Sequence, residues 1–473
     1  MGADYDVVIV GAGGAGMACA ITAHDAGARV LLVEAAAKTG GSTALSGGVV
    51  YGAGTDVQRA AGILYDSPRA MFGYYMTLNQ WNVDPAVGWR YCEETPHTIA
   101  WLQRLGVEFP VEGLRAAGVD GVPRCHEARG EGHEVARVLH AACAERGIDI
   151  ALGQRVEELL PSDGNDVVGV RSGGETVTGT SVVLTTGGFG HNRELIAEYY
   201  PDAHAAGDWC WSVSAEFSRG DGLLLGRSVG ASITGRNRGL MLPTTGMEKV
   251  FETPLPGWLM FVDHEGLRFV DETASHSVIT GTIKARGGSC FAIFDEHLRV
   301  HGMPSEENRR CQRSSNFTPE GIEAGVKSGM VATGGDPHEL AVALGLPPDA
   351  LAAAITRYNA GAASGADSQF FKAAAHLEPL ATAPYYGVEV RAGIISFTSC
   401  GLRIDTQAQV LDTTGTPIPG LYAAGETTGN VLGERYLGGG NGLGNGLNFG
   451  RIAGAATAQR ARAVDQRIPV VAG

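Results

Sequence analysis

The first residues able to do chemistry form a glycine string. Gly11-Ala12-Gly13-Gly14-Ala15-Gly16 follows the apolar, β-branched run Tyr5–Val10 and opens a stretch of small residues, Met17 to Ala26. A second apolar run, Arg29–Val33, ends at Glu34. Strand, glycine turn, helix, strand and acid in this order bind the pyrophosphate of a dinucleotide. Gly11 permits the tight turn, Gly13 lets phosphate approach the backbone, and Gly16 lets helix and strand pack closely. Gly14 and Ala15 are assigned to the cofactor with this turn, since the N-terminus of the helix that follows supplies amides and partial positive charge for the phosphates. Glu34 is placed to accept from the ribose hydroxyls.

A second glycine-rich segment follows at once, Gly40-Gly41-Ser42-Thr43 and then Ser46-Gly47-Gly48. A dinucleotide whose ring reaches deep into the protein needs such added backbone contacts, which points to FAD rather than NAD. The pattern E-x(5)-GG-x-[ST] with a following S-GG resembles the flavoprotein subunits of the fumarate reductase and succinate dehydrogenase family. The resemblance implies that Gly41, Ser42, Thr43, Ser46, Gly47 and Gly48 hold FAD. Family members with covalent FAD use a histidine in this stretch. None lies between His24 and His97, so non-covalent FAD is expected. The resemblance continues through Gly187-Gly188-Phe189-Gly190, Ser218–Gly222, Leu421–Glu426 and a last helix opening at Asn441. Val156, Gly187, Gly188, Asp221, Gly425 and Glu426 are accordingly assigned to the cofactor. Asn441, Gly442 and Leu443 would face the flavin ring, where a helix N-terminus favours the negative charge of reduction.

The family's dicarboxylate-holding residues do not follow. Leu242, before Pro243-Thr244, stands where its reductases carry a histidine. His276 takes the place of the proton-donating arginine, four residues after Arg268-Phe269-Val270-Asp271-Glu272. Phe397 replaces a second histidine and Tyr436 the last arginine. A buried dicarboxylate without paired cations is costly, so fumarate is rejected in favour of a bulky, apolar, uncharged substrate. Trp209, Trp211, Trp258, Met260 and Phe261 are its expected surroundings. Tyr436-Leu437-Gly438-Gly439-Gly440 resembles the Y-x-G-x-G motif of the 3-ketosteroid dehydrogenase branch, and Gly52–Gly62 resembles its Δ4 members. That resemblance implies an oxyanion hole, with the Tyr436 hydroxyl and the Gly440 N–H both on a ketone oxygen, stabilising an enolate. Only glycine lets the backbone come so close. His276, of a type that titrates near neutrality, is the candidate base. The expected reaction is α,β-dehydrogenation of a cyclic ketone, 3-ketosteroid-like or smaller. The α-proton leaves to the base, hydride goes to flavin N5, and an unidentified electron acceptor is needed. An ene-reductase running the same site in reverse and a non-catalytic FAD-fold carrier are the alternatives.

The fold that would position these groups is α/β. A Rossmann-like FAD-binding domain is split in sequence, 1–242 and 387–473, around an inserted α+β capping domain, 243–386. Residues 84–147 read as mostly helical, with Pro85–Leu105 and Glu134–Arg146 at helical spacing. Val167–Arg171 and Val182–Thr186 read as strands, and His301–Gly335 as loops and short helices. Glycine is 70 of 473 residues without a three-residue period, which excludes collagen. With 44% hydrophobic residues, disorder is excluded too. Many glycines lie between Gly425 and Gly454, read as backbone approaching the ring and substrate. A net charge of −15 without basic clusters excludes nucleic-acid partners. No apolar run is long enough to span a membrane, and no basic leader precedes one, so a cytoplasmic protein is expected. The scattered cysteines, none in C-x-x-C, read as free buried thiols. Cys125 reads as inert. His126, His133 and His140 read as structural because no ligand set completes them.

Overall fold

The structure, a computed structural model, describes residues 3–162, 166–252, 254–302 and 316–466. Cys311 and part of the segment His301–Gly335 lie outside the described residues. The chain divides into two compact units, one of Met1–Asp202, Ser212–Leu240 and Ser396–Gly473, the other of Ala203–Trp211 and Met241–Ile395.

In the first unit β1 (Tyr5–Val10) and β2 (Val30–Val33) are parallel and joined by α1 (Gly14–Asp25). Val7–Val10 and Val30–Val33 are buried throughout, which is why both read as continuous apolar runs. Helix α1 begins at Gly14, three residues before the expected Met17. Packing overrides weak propensity here, because Gly16 is pressed against the Gly11 carbonyl. There follow α2 (Gly41–Leu45), β3 (Val49–Tyr51), α3 (Pro68–Leu78) and α4 (Pro85–Leu105). Helix α4 has its expected limits, set by the Asp84 side chain capping the Ala86 and Val87 N–H groups and by left-handed Gly106. The reading of 84–147 as mostly helical needs correction: β4 (Leu114–Ala116) and β5 (Pro123–Glu127) interrupt it. Strand β5 pairs antiparallel with both β3 and β4. Helix α5 (Glu131–Glu145) starts earlier than expected because Gly132 must fit against the Thr43 and Ser46 carbonyls. Strands β6 (Asp149–Ala151), β7 (Val156–Pro161), β8 (Val167–Ser172) and β9 (Glu175–Leu184) precede α6 (Asp221–Ser228). Strand β9 stops at Leu184, not Thr186, since the Thr185 hydroxyl turns to the Val10 and Gly11 carbonyls.

The second unit holds β10 (Met260–Val262), α7 (His276–Lys284), β11 (Ser289–Asp295), α8 (Pro319–Ser328), β12 (Val331–Gly334), α9 (Pro348–Ser364) and β13 (Tyr385–Thr398), the last through Ile395. Antiparallel pairing runs β10–β11–β13–β12. The described part of the segment read as loops and short helices carries a helix and also a strand, which that reading did not include. Trp258, Met260 and Phe261 are core residues of this unit rather than substrate surroundings. The Trp258 ring packs edge-on against Phe294 and Phe317, and Met260 and Phe261 are fully buried on β10. Trp209 covers Gly246 and takes the Arg391 guanidinium on its face.

The chain returns to the first unit with β14 (Gln409–Leu411), β15 (Pro417–Ala423) and α10 (Asn441–Asp465). The main sheet has the order β14–β15–β9–β1–β2–β6, and β8 and β7 extend it antiparallel from β9. Helix α10 lies on α1. A Cβ at Gly450 would collide with the Ala15 carbonyl oxygen, one at Gly454 would come within 2.5 Å of the Cys19 oxygen, and Gly446 faces Ala15. These three glycines let two helices meet closely, so the reading that assigned them to ring and substrate is corrected. Among the described residues no helix is long and apolar enough to cross a membrane.

Candidate active site

The phosphate end is built by the β1–α1 turn. Gly11 has φ +105, and a Cβ there would lie 2.5 Å from the Thr185 carbonyl oxygen. Gly13 is different. Its φ is −75, open to any residue, and no atom lies within 4 Å of where its Cβ would be. Neither backbone nor neighbour demands glycine at 13, and the space kept clear fits a pyrophosphate. Gly13→Ala should therefore leave the fold and the apoprotein's thermal midpoint unchanged while weakening FAD at least about tenfold, read by flavin fluorescence on titration into apoprotein.

The second glycine segment sits on this turn. Gly40 bridges to Gly13 and donates its N–H to the Ala12 carbonyl; Gly41, at φ +46, lies 3.6 Å from the Gly13 Cα by its added Cβ. The Thr43 hydroxyl accepts from the Gly14 N–H at 3.1 Å, the Ser42 hydroxyl from Ala215 at 3.0 Å, and Ser46 is bonded to the Thr43 carbonyl at 2.8 Å. Gly47 and Gly48 lead into β3, with Gly48 at φ +66 against Glu131 and Gly132. Glu34 is nearly buried, and its two oxygens accept from Ala12 at 2.7 Å and Ala36 at 2.8 Å. A carboxylate so held keeps further lone pairs for ribose hydroxyls. Val156 is buried at the start of β7. Asp221 is engaged by Arg155 at 2.9 and 2.6 Å.

At the other end Gly187 has φ +74, and Gly188 is pressed against Thr398 and Glu426. The Glu426 carboxylate accepts from the Thr398 N–H and hydroxyl, both at 2.8 Å. Burial raises its pKa, and these bonds and the Gly188 N–H oppose the rise. Gly425, at φ +81, packs on Ala15. Helix α10 opens at Gly440, whose φ of +97 and closeness to the Val49 carbonyl admit only glycine. The Asn441 side chain holds the preceding loop, donating to the Gly438 carbonyl at 2.6 Å and accepting from Tyr91 at 3.0 Å.

Tyr436 lies at this helix end. Its hydroxyl accepts the Gly442 N–H, a first-turn donor with no intrahelical partner. The N–H assigned to flavin at Gly442 is thus the one that meets the tyrosine assigned to substrate; Leu443 follows in the same turn. The Phe397 ring stands 6.1 Å from the Tyr436 ring at 53°. Burial raises the phenol's pKa and the Gly442 N–H opposes the rise, so the hydroxyl is protonated at neutrality and can donate. Leu242 is buried in the second unit, and His276 there is the first residue of α7. His126 is buried in the first unit, 2.7 Å from the Thr55 hydroxyl, and burial lowers its pKa to about 4. Sequence reasoning missed Thr185 and Thr398, which border Gly187 and Phe397, and Tyr74 and Tyr91, whose segments carry no motif. Cys125, read as inert, donates to the Gly439 carbonyl at 3.3 Å.

The FAD binding domain family matches residues 6–443. The chain belongs to that family. It is 31% identical to a fumarate reductase (cytochrome) of Shewanella frigidimarina, over 96% of this chain and 77% of the relative. It is 30% identical to an NADH:fumarate oxidoreductase of Klebsiella pneumoniae (strain 342), over 97% of this chain. The chain spans about half of that relative's length, 48%. Among solved structures, the 3-ketosteroid Δ4-(5α)-dehydrogenase of Rhodococcus jostii RHA1 in complex with 4-androstene-3,17-dione has a TM-score of 0.78 at 27% identity, covering 96% of each chain. The chain is thus a flavin-dependent oxidoreductase of the fumarate reductase family, with FAD as its cofactor. The expected α/β fold and family resemblance hold.

Proposed function

We propose that the chain dehydrogenates a cyclic ketone to the α,β-unsaturated ketone. The observation that carries this reading is Tyr436, a protonated phenol between Phe397 and the N-terminus of α10, where the family's dicarboxylate reductases carry cations. The similarity to a ketosteroid dehydrogenase supports it. FAD, when bound, supplies the acceptor for a hydride from the β-carbon. Tyr436 donates to the ketone oxygen, and the Gly440 N–H is the second donor. Together they stabilise the enolate formed as the α-proton leaves, and His276, on the capping segment 243–386, takes that proton. Phe397 and Leu242 stand at the sequence positions where the family's dicarboxylate reductases carry histidines, and a carboxylate without such partners is costly, which argues against fumarate.

The fumarate reductase relatives favour the reverse direction, reduction of a C=C bond. Both directions share one transition state, so one pair of assays separates them. Purified holoenzyme is given ketosteroids and simple cyclohexanones with an artificial electron acceptor, and enone absorbance is followed. The expected result is enone formation and no oxidation of succinate. Bleaching of the flavin by no saturated ketone, with dithionite-reduced enzyme reducing fumarate, would overturn the proposal.

A further inference from the structure

The Tyr436–Gly440 loop has a weakness its proposed role cannot tolerate. Three consecutive glycines give it more backbone freedom than other residues would, yet oxyanion donors work only when held in place. Four of the bonds that restrain it hold successive carbonyls. The Gly440 carbonyl accepts from the Tyr51 N–H at 3.4 Å, the Gly439 carbonyl from Cys125 at 3.3 Å, and the Gly438 carbonyl from Asn441 at 2.6 Å. The fourth is the Tyr74 hydroxyl on α3, which donates to the Leu437 carbonyl at 2.9 Å. This last bond holds the residue directly after Tyr436.

Tyr74 is itself held from two sides. Its hydroxyl accepts from the Val119 N–H at 3.0 Å. Its ring lies over the Arg124 guanidinium at 5.5 Å. Arg124 is 2% exposed and locked by Asp66 at 2.9 and 2.8 Å and by Asp120 at 2.6 Å. Asp66 in turn accepts from Gln58 at 2.8 Å. A rigid path thus runs from a buried ionic anchor through an aromatic ring and one hydroxyl to the loop. Burial pushes the Tyr74 phenol up to about 12, so it stays a donor throughout the neutral range.

We infer that Tyr74 is a positioning residue for Tyr436, setting the geometry of the ketone-oxygen site without touching substrate. This inference rests on the proposed function. The probe is p-nitrophenol, whose phenolate is a planar six-membered oxyanion like the enolate of a cyclohexanone. Binding to holoenzyme is read from the phenolate absorbance. Tyr74→Phe should weaken p-nitrophenolate about tenfold, the loss of one well-placed hydrogen bond. It should keep FAD content and lower kcat more than it raises KM. Tyr436→Phe should weaken the probe further, and the double variant should bind no worse than Tyr436→Phe alone, since Tyr74 acts only through Tyr436. Additive losses, or unchanged probe affinity in Tyr74→Phe with a lowered thermal midpoint, would show a merely structural role and overturn the inference. Unchanged affinity in Tyr436→Phe would overturn the ketone-oxygen site itself, and the inference with it.

Discussion

Tyr436→Phe should cut ketone turnover about 10²–10³-fold, the usual loss for one oxyanion donor, while FAD stays bound. The substitution removes a single oxygen. The ring keeps its place beside Phe397, so packing is preserved. The Gly442 N–H loses its acceptor, but it lies in the first turn of α10, where a free donor is least disruptive. The segments proposed to hold the phosphates and ribose of FAD, Gly11–Gly16 and Gly40–Gly48, belong to other elements, and Gly442, assigned to the flavin ring, keeps its N–H. What disappears is the donor proposed for the ketone oxygen, whose bond would strengthen as charge builds there. An interaction made mainly in the transition state shows as equal losses in kcat and kcat/KM, with KM little changed. Steady-state kinetics on the best ketone of the screen, with flavin content measured by absorbance, decide the matter. Full activity in the variant would remove Tyr436 from the mechanism.

Why was so much of this visible in the sequence, and why not all? The β1–α1 turn was legible because three of its glycines each answer a different local demand. Gly11 needs its positive φ, Gly16 its contact with Gly11, and Gly13 its empty space. Such demands act over a few residues and leave a fixed spacing. The glycines of α10 have the same letter and another cause. Gly446, Gly450 and Gly454 recur at a helical spacing of four because α1 crosses there, and α1 is more than four hundred residues away. Composition alone could not separate a cofactor cradle from a helix crossing. Met260 and Phe261 of β10 misled for a related reason. An apolar run predicts burial, and only the pairing of β10 with β11 makes it core rather than pocket wall. The supports of the Tyr436 loop were invisible because α3 and β5 carry no motif; one hydroxyl and one thiol meet that loop only after folding.

The largest loss of stability is expected from Glu272→Gln, in the second unit. Glu272 is fully buried, bonded to Arg268 at 2.8 and 2.9 Å, and it faces Lys372 at 3.2 Å. Asp367 takes the remaining Arg268 nitrogen at 2.7 Å. Two cations and two anions thus balance inside an apolar unit. The Arg268 guanidinium lies over the rings of Tyr358 and Phe370, and the Lys372 ammonium donates to the Leu259 carbonyl and the Tyr358 hydroxyl. Neutralising Glu272 leaves one buried cation uncompensated, which costs about 3–5 kcal/mol. Removing Lys372 as well, in Glu272→Gln with Lys372→Met, restores the balance with a side chain of similar length. The pair should therefore be more stable than the sum of the single losses predicts, by about 1–3 kcal/mol of coupling. Denaturant unfolding of the holoenzyme and its three variants measures this. Strict additivity would mean the four charges do not act as one network. The network also bears on the chemistry, since Glu272 accepts the Phe261 N–H at 3.0 Å and precedes His276 by one helical turn's length of chain. A loosened Glu272 frees the segment that leads into α7. Glu272→Gln should thus lower turnover through His276, the proposed base, even at temperatures where it remains folded.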